Sequence, residues 1–597
     1  MLSSITNTSC TSEEQIIDTK TNGLISAFGD FDSDRFTDVF FISDRGKSLH
    51  LLKSYEKKPE FREMANISCT FNHSSDIIVG VIPGDFNGDA MMDVMVVTQI
   101  SPDAPQRFNI WIFKGDRATL ECNTAKAPLL KEVRSHPLIL DYNGDMIADF
   151  IVETENCTRE LWTYNNKQFT KDCPSSLQLP GNPGNMRFPH SNAFVNIQNC
   201  NDGIEVDNFS TDIFISGKTK MEYWFDEGGW SPASTAIISY PDQEKYILGQ
   251  SLFIDLQTDG CIQHIMPVCE KQRWSSICDP QILWYNFAMK DWVKISNFDD
   301  KTSNQTYLYF EEIKTAYGFE LPISVRFGDV DGDGFVDLLS VMKSTKDSKT
   351  RAVILRNIKD DSLPGGRKFD LFWTSEHLIS DNVELASFLD VQENGRLDVI
   401  MTTRNATDGY NIIWIRNMLI ETSCFLKVLV TTGLCGSGGC PGEKVPYGTN
   451  QAGLFVCYET SDMDGKPVKG CSTQLSQSAH FALQMPYSVF GLGETPNFVE
   501  SVQASIPSGD MKTVRKARWT QIVPDAQVVL IPYPPNETTY WICKLFYTPS
   551  SIVFSTLATL GVLCVVLVLI ILILHRKEVL EDLAEHEEYK RHWPESR

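Results

Sequence analysis

The sequence predicts a mainly β protein: a seven-bladed β-propeller, then a small β-sandwich-like domain, then one transmembrane helix. Three observations predict it. An acidic loop leads into an apolar run seven times, starting at residues 30, 85, 141, 196, 255, 329 and 390. The repeat stops near residue 419 and gives way to short alternating runs punctuated by Gly, Pro and Cys. Near the C-terminus, Ile552 to Leu574 form 23 residues without a charge.

Self-similarity at a fixed period sets the architecture before any single residue does. The clearest copy is Asp329 to Asp337, DVDGDGFVD, followed by LLSV. Asp30 to Asp38 (DFDSDRFTD), Asp85 to Asp93 (DFNGDAMMD) and Asp141 to Asp149 (DYNGDMIAD) repeat it. Each following run is rich in Val, Ile, Leu and Phe, the composition of a buried strand. Further short runs, such as Phe108 to Phe113 and Ile412 to Ile415, fill the intervals. Roughly four strands per unit make a propeller blade with long loops, and the units occupy residues 12–419. A closed ring leaves no exposed sheet edge. A stacked solenoid fits less well, because units of 55 to 74 residues are long for one and amphipathic helical patterning is lacking.

Residues 423–539 carry the runs FLKVLV, GLFVCYE, HFALQM, ESVQASI and QVVLIP, which together read as a small all-β domain. Pro532, Pro534 and Pro535 form a stiff exit. Residues 540–551 are expected to be a juxtamembrane segment, with Trp541, Phe546 and Tyr547 where aromatics sit at a membrane surface. Residues 552–574 are long enough to cross a hydrocarbon core of ~30 Å. His575, Arg576 and Lys577 follow at once, so the positive-inside rule puts residues 575–597 in the cytosol as the tail of a single-pass type I protein. Val579, Leu580 and Leu583 offer the tail one small apolar helical face, and the acidic residues before Tyr589 resemble a phosphorylation context. The tail otherwise reads as a solvated stub. Met1 to Cys10 hold no apolar core of a signal peptide. A polar start cannot target a type I protein, so this form is expected to begin downstream of a signal, through truncation or an alternative start.

A formal charge of −24 leaves no basic patch to neutralise phosphates, which argues against nucleic-acid binding. Sixteen Cys fit an oxidising compartment. Cys564 lies in the apolar span, leaving 15 (16 minus 1) outside it, so at least one thiol there is free, modified or paired between chains. Cys157/Cys173, Cys435/Cys440 and Cys457/Cys471 are spaced for short bridges, with connectivity left open. Eight glycosylation sequons precede the span and none follows it: Asn7, Asn66, Asn72, Asn156, Asn208, Asn304, Asn405 and Asn536.

The acidic loops read as calcium sites. Calcium takes six to eight hard oxygen ligands, and a tight loop presenting side chains at positions one, three, five and nine, with a main-chain carbonyl near seven, supplies them. The four complete sets are Asp30, Asp32, Asp34 and Asp38; Asp85, Asn87, Asp89 and Asp93; Asp141, Asn143, Asp145 and Asp149; and Asp329, Asp331, Asp333 and Asp337. A weaker set is Asp390, Gln392, Asn394 and Asp398. In the fifth copy Asp255 and Asp259 survive, but Gln257 and Gln263 replace the other carboxylates; the Asn196 copy is scrambled by NIQNCNDG. Those two copies are read as having kept the fold and lost the ion. A single acidic surface turn would be unremarkable, but four at matching phase, each before a strand, are not. An EF-hand needs Glu at position twelve and a helix beyond; Phe41, Val96, Val152 and Ser340 stand there instead. Clustered carboxylates repel by about 1 kcal/mol per pair even in high dielectric. The ion reverses that term, so calcium here is structural rather than catalytic.

Phe28-Gly29 and Phe327-Gly328 directly precede their loops. In this the repeats resemble the FG-GAP repeats of integrin α-subunit propellers, although the Gly-Ala-Pro part of that motif is not evident. Val445 to Ile506, with FGLGETPNFVESV, looks like the small β domain that follows such propellers in cartilage acidic protein. The whole arrangement is similar to the integrin-α FG-GAP repeat-containing family of membrane proteins. The resemblance implies a cell-surface glycoprotein acting in adhesion and in modulation of T cells. It also implies an extracellular protein ligand or receptor, and cytosolic contacts with RuvB-like ATPases and tubulin.

A binding or adhesion module is therefore the leading expectation. A luminal trafficking or folding factor is the second reading, which the sequence does not separate from a surface receptor. A phospholipase-like hydrolase is the third, since FG-GAP propellers can accompany such domains. The ten His are scattered with no His-x-x-x-His pair, and neither a G-x-S-x-G elbow nor a phosphate loop is found. Ser437 sits between Cys435 and Cys440 in what reads as a bridged loop. The chain is expected not to be an enzyme.

Overall fold

A computed structural model describes residues 16–55, 61–71, 76–99, 107–122, 127–179, 185–197, 209–226, 229–273, 277–298, 308–417, 423–435, 447–461, 465–493, 498–508, 514–547 and 551–592. Asn7, Asn72, Asn208, Asn304, Ser437 and Cys440 lie outside them.

Seven meander sheets follow one another, with inner strands Leu24–Gly29, Ile77–Gly84, Leu138–Leu140, Ala193–Val195, Leu252–Ile254, Val325–Gly328 and Asn382–Leu389. They are numbered one to seven below. The strand after each acidic loop is the second of its sheet: Asp38–Ser43, Asp93–Gln99, Asp149–Val152 and Asp337–Ser344 are examples. These strands are buried on both faces, which is why they read as unbroken apolar runs rather than as alternating ones. Ile16–Asp18 pairs antiparallel with Tyr410–Ile415 and so becomes the outer strand of sheet seven. The start of the described chain thereby locks onto the end of the array. That pairing belongs to a closed β-propeller and not to an open stack.

The domain after the propeller is a sandwich. One sheet is ordered Ser488–Gly493, Cys424–Val430, Ala526–Ile531, Ile542–Tyr547; the other is Pro467–Gln474, Leu454–Ser461, Val499–Ile506, Arg515–Ile522. Leu426, Val428, Val456, Tyr458, Val502 and Val528 fill the space between them.

Three expectations need correction. HFALQM is no strand: residues 475–487 leave the sandwich and enter the centre of the propeller. Gln477 Nε2 donates to Phe28 O of sheet one, and the His480 ring lies 5.4 Å from the His136 ring, just before sheet three. Gln250 Nε2, beside sheet five, donates to His480 O at 2.9 Å, and His480 N to His190 O, before sheet four. Arg326 Nη2 of sheet six donates to Phe481 O at 2.8 Å, and Ser387 Oγ of sheet seven to Leu483 O at 3.0 Å. From the other side the hairpin Ile313–Leu321 reaches across, and Phe319 stacks on Phe481 with centroids 5.1 Å apart. The channel is therefore filled by backbone and side chains.

The second correction concerns residues 540–551. Ile542–Tyr547 is a strand of the sandwich, Trp541 is buried in the sandwich core, and Phe546 packs under the Arg35 guanidinium at 4.0 Å. Trp541 and Phe546 thus serve packing and not a membrane surface. The third concerns the tail. One helix, Ser551–His592, contains the whole apolar span and continues unbroken through most of the tail. At ~1.5 Å per residue its 42 residues extend about 63 Å, well beyond one hydrocarbon core. It is long and apolar enough to cross a membrane, and exposed from Ser555 onward.

Bridges join Cys69–Cys122, Cys157–Cys173, Cys269–Cys278 and Cys457–Cys471. Cys261 and Cys435 are also disulfide-bonded. Cys424, Cys543 and Cys564 carry free thiols.

Candidate metal centres

The acidic loops share one backbone form. The carboxylate at position one accepts from the amides of positions five and six: Asp30 from Asp34 and Arg35, Asp141 from Asp145 and Met146, Asp329 from Asp333 and Gly334. Asp255 and Asp390, in the degraded copies, do the same with Asp259 and Gly260, and with Asn394 and Gly395. Positions four and six adopt left-handed backbone. Gly332 and Gly334 do so with φ of 70° and 92°, whereas loop one places Ser33 and Arg35 there at 62° and 80°. A side chain in that region costs about 1 kcal/mol or more; loop one carries two, whereas Ala90, Met146, Thr258 and Glu393 are single cases in their loops.

Position nine has a role the sequence did not disclose. Asp38 Oδ2 accepts from Phe31 N and its Oδ1 from Ser54 N, tying the loop to the third strand. Asp93 does so with Phe86 and Gly115, Asp337 with Val330 and Asn357. In sheet four Asp212 performs this task, accepting from Ile197 N and Asp226 N, both at 2.9 Å. In sheet five Gln263 Oε1 accepts from Leu256 N at 2.7 Å. The longer spacing from Asn196 to Asp212 hid the fourth copy. Backbone bonds that recur where the other ligands are lost, two at Asp212 and one at Gln263, mark position nine as a staple of the fold.

Among the described residues two loops gather carboxylates closely enough to share an ion: Asp30, Asp32 and Asp38, and Asp329, Asp331 and Asp333, each set within 4.8 Å. A basic side chain from the neighbouring strand leans into both. Lys53 contacts Asp32 and lies 3.2 Å from Asp34; Arg356 lies 2.5 Å from Asp331 and 3.6 Å from Asp333. Among the described residues no lysine or arginine pairs with Asp85, Asp89 or Asp93 of loop two. Burial, then the neighbouring carboxylates, pushes the acids up: Asp85 to about 7, Asp93 to about 8, Asp149 to about 9. Burial likewise raises Asp30 and Asp141 to about 7 and Asp337 to about 8. Asp32 Oδ1 and Asp149 Oδ1 are buried without a hydrogen-bond partner. An all-oxygen donor set with orphaned, electrostatically frustrated carboxylates fits a hard divalent cation. Calcium, when bound, would be held by the four complete sets, and would supply charge neutralisation and a tie between strands.

Loop seven is different. Lys427, on sandwich strand Cys424–Val430, buries its ammonium against Asp390 at 3.2 Å and contacts Glu393. Its Nζ also sits 3.8 Å from the centre of the Tyr487 ring. The expected weaker set therefore already faces a cation of the protein.

The loops do not form a free docking face. Arg35 Nη1 donates to Gln527, Arg515 Nη1 to Gly144 O, Thr211 Oγ1 to Gly453 O, Cys471 N to Asp255 Oδ2 and Gly493 N to Gly332 O. Six of the seven sheets thus meet the sandwich at or beside their acidic loops, so cations bound there would brace one domain against the other. Of the sequons, Asn66, Asn156 and Asn536 are exposed, and Asn405 is half-buried.

Comparison with known proteins places both domains. An FG-GAP-like repeat model matches residues 30–96, and the model described as ITFG1, C2 domain, matches 446–546. The human T-cell immunomodulatory protein is 32% identical over 558 residues, covering 90% of this chain and 87% of that protein. The mouse T-cell immunomodulatory protein is 31% identical, with 93% and 89% covered. Protein linkin of Caenorhabditis elegans is 23% identical, with 90% and 89% covered.

Proposed function

The chain belongs to the T-cell immunomodulatory protein family, and from that membership we propose a single-pass type I cell-surface glycoprotein whose calcium-stabilised propeller and sandwich act as one binding module in the modulation of T cells. The observation that carries this reading is the position of the acidic loops against the sandwich, Gly332 of the Asp329 loop on Gly493 and Gly144 of the Asp141 loop on Arg515 among them. A cation held there makes the shape of the whole module, and so its docking surface, depend on calcium. Extracellular modules of this kind bind at about 10⁻⁴ to 10⁻³ M, the range of extracellular calcium.

The partner is an extracellular protein or receptor, met through surfaces other than the loop face. On this reading the chain acts without catalysis; buried His264 stacks on Phe253 and hydrogen-bonds the buried Tyr223 hydroxyl, a packing role. Residues 575–592 carry the cytosolic contacts that the family resemblance implies, with RuvB-like ATPases and tubulin.

Surface biotinylation of intact cells, followed by proximity labelling around the ectodomain with calcium or EGTA, tests the reading. Labelled neighbours that disappear in EGTA are expected. Exclusive retention in the endoplasmic reticulum would overturn the surface assignment in favour of a luminal factor.

A further inference from the structure

The segment 475–487 is bonded to the walls of the channel, yet one part of its seat is made of three histidines. His136 precedes sheet three, His190 precedes sheet four, and His480 sits on the inserted segment. All three are buried, with the His136 ring 5.5 Å from His190 and 5.4 Å from His480. Phe188 covers the group, 5.0 Å from both His136 and His480.

We propose that residues 475–487 form an acid-released plug of the propeller channel, latched by His136, His190 and His480.

The geometry allows only neutral imidazoles. Among the described residues no carboxylate contributes to the electrostatic surroundings of any of the three: His136 feels His480 and His190, His190 feels His480 and the Ser478 carbonyl, and His480 the carbonyls of Glu320 and Val79. Glu320 offers its main-chain oxygen to His480 Nε2 at 3.3 Å, while the residue itself is exposed. Gln250 and Ser387, which hold the plug backbone, are uncharged. The charged side chain on the histidine end of the plug is Arg326, itself a cation, on Phe481 O; at the far end Tyr487 meets Lys427, Asp390 and Glu393, whose charges already pair with one another. A proton arriving here adds positive charge to a buried site with no anion among its described neighbours, and an unpaired buried charge is among the most costly groups in a fold. Withdrawing the plug hydrates all three rings at once. Burial accordingly pushes His480 down to about 4 and His190 to about 3, with His136 also well below the usual range.

The sign follows from linkage. Histidines held neutral when closed and titrating near 6.5 when open favour closure above ~6.5 and lose that preference as the pH falls. Between pH 7.4 and 5.0 each His raises the opening equilibrium about 30-fold, and the three together about 3 × 10⁴-fold.

Hydrogen exchange on the full chain in detergent, at pH 7.4, 6.5, 5.5 and 5.0 and corrected for intrinsic rates, tests this. Amides of 476–487 are expected to lose protection below pH 6.5 while Ala526–Ile531 keeps it. His480→Gln, His136→Gln and His190→Gln should each flatten the response by about 30-fold. The single substitutions serve if the triple variant does not fold. Protection retained at pH 5.0 in the natural chain would overturn the proposal. So would an acid response that the Gln variants leave unchanged, since that would assign it to the acidic loops.

Discussion

Lys427 Nζ lies 3.2 Å from Asp390 Oδ2, with the two side chains 1% and 0% exposed. Burial alone would drive the ammonium toward neutrality, but Asp390 and Glu393 more than offset it and hold its pKa above the ordinary lysine value. Loop seven thus carries a cation that cannot be chelated. It is supplied by the sandwich, so it also fixes the register of one domain on the other.

Removing that ammonium should be costly. Lys427→Met leaves two buried acids without their counter-charge, and breaking one side of a buried pair typically costs about 3–5 kcal/mol. Chemical unfolding with and without calcium checks this. The variant should be destabilised by that amount in EGTA and partly rescued by millimolar calcium, because Asp390, Gln392, Asn394 and Asp398 are then free to take an ion. A calcium response equal to that of the natural chain would deny loop seven any such site.

Positions five and nine of the loops should separate experimentally. Asp337→Ala removes the acceptor of both Val330 N and Asn357 N. Leaving a buried amide without its acceptor costs about 1–3 kcal/mol each, whether or not metal is present. Asp89→Asn keeps its amide-accepting oxygen for Met91 N but loses a charged ligand. It should leave the melting temperature in EGTA nearly unchanged and lower only the increment that calcium adds. Equal effects of both substitutions in EGTA would contradict the assignment.

The propeller was legible because each sheet repeats a local signal, an acidic turn before a doubly buried strand. The acidic loops themselves were legible for the same reason. What remained hidden depends on contacts remote in sequence. Lys427 in FLKVLV looks like the outward position of an alternating strand, and only Asp390, 37 residues earlier, shows why it is buried. HFALQM alternates as a strand does, but Phe481 and Leu483 take left-handed backbone, with φ of 48° and 51°, and the segment is held by contacts to residues remote in sequence. Asp212 escaped notice because residues 198–208 separate it from the rest of its loop. Trp541 and Phe546 were misplaced because an aromatic cluster beside a membrane span has the same composition as the last strand of a core.

The plug should bear on the stability of both domains. Phe481 is 4% exposed, stacked on Phe319 of the capping hairpin. Phe481→Ala opens a cavity where plug and cap meet and should cost about 3–5 kcal/mol. Its mark would be a single, still cooperative transition at lower denaturant, because the segment belongs to the core of the propeller. If the sandwich instead melted separately while the propeller kept its midpoint, the plug would be a loose insertion.

Acid should stabilise the chelated protein in one range and weaken the calcium form in the same range. Asp30, Asp85 and Asp141 are raised to about 7, and Asp93 and Asp337 to about 8, first by burial. A carboxyl whose folded pKa exceeds its unfolded value near 3.9 contributes stability that is complete below about 4 and lost as the pH rises through 7 to 8. In EGTA the melting temperature should therefore climb as the pH is lowered from 8.5 to 6.5. With saturating calcium the same acids must be ionised to hold the ion, so protons compete with it, and the increment due to calcium should shrink over that interval. Keeping the series above pH 6.5 leaves His136, His190 and His480 neutral, so their opposite response does not enter. A calcium increment independent of pH between 6.5 and 8.5 would mean that the raised acids are not the ligands.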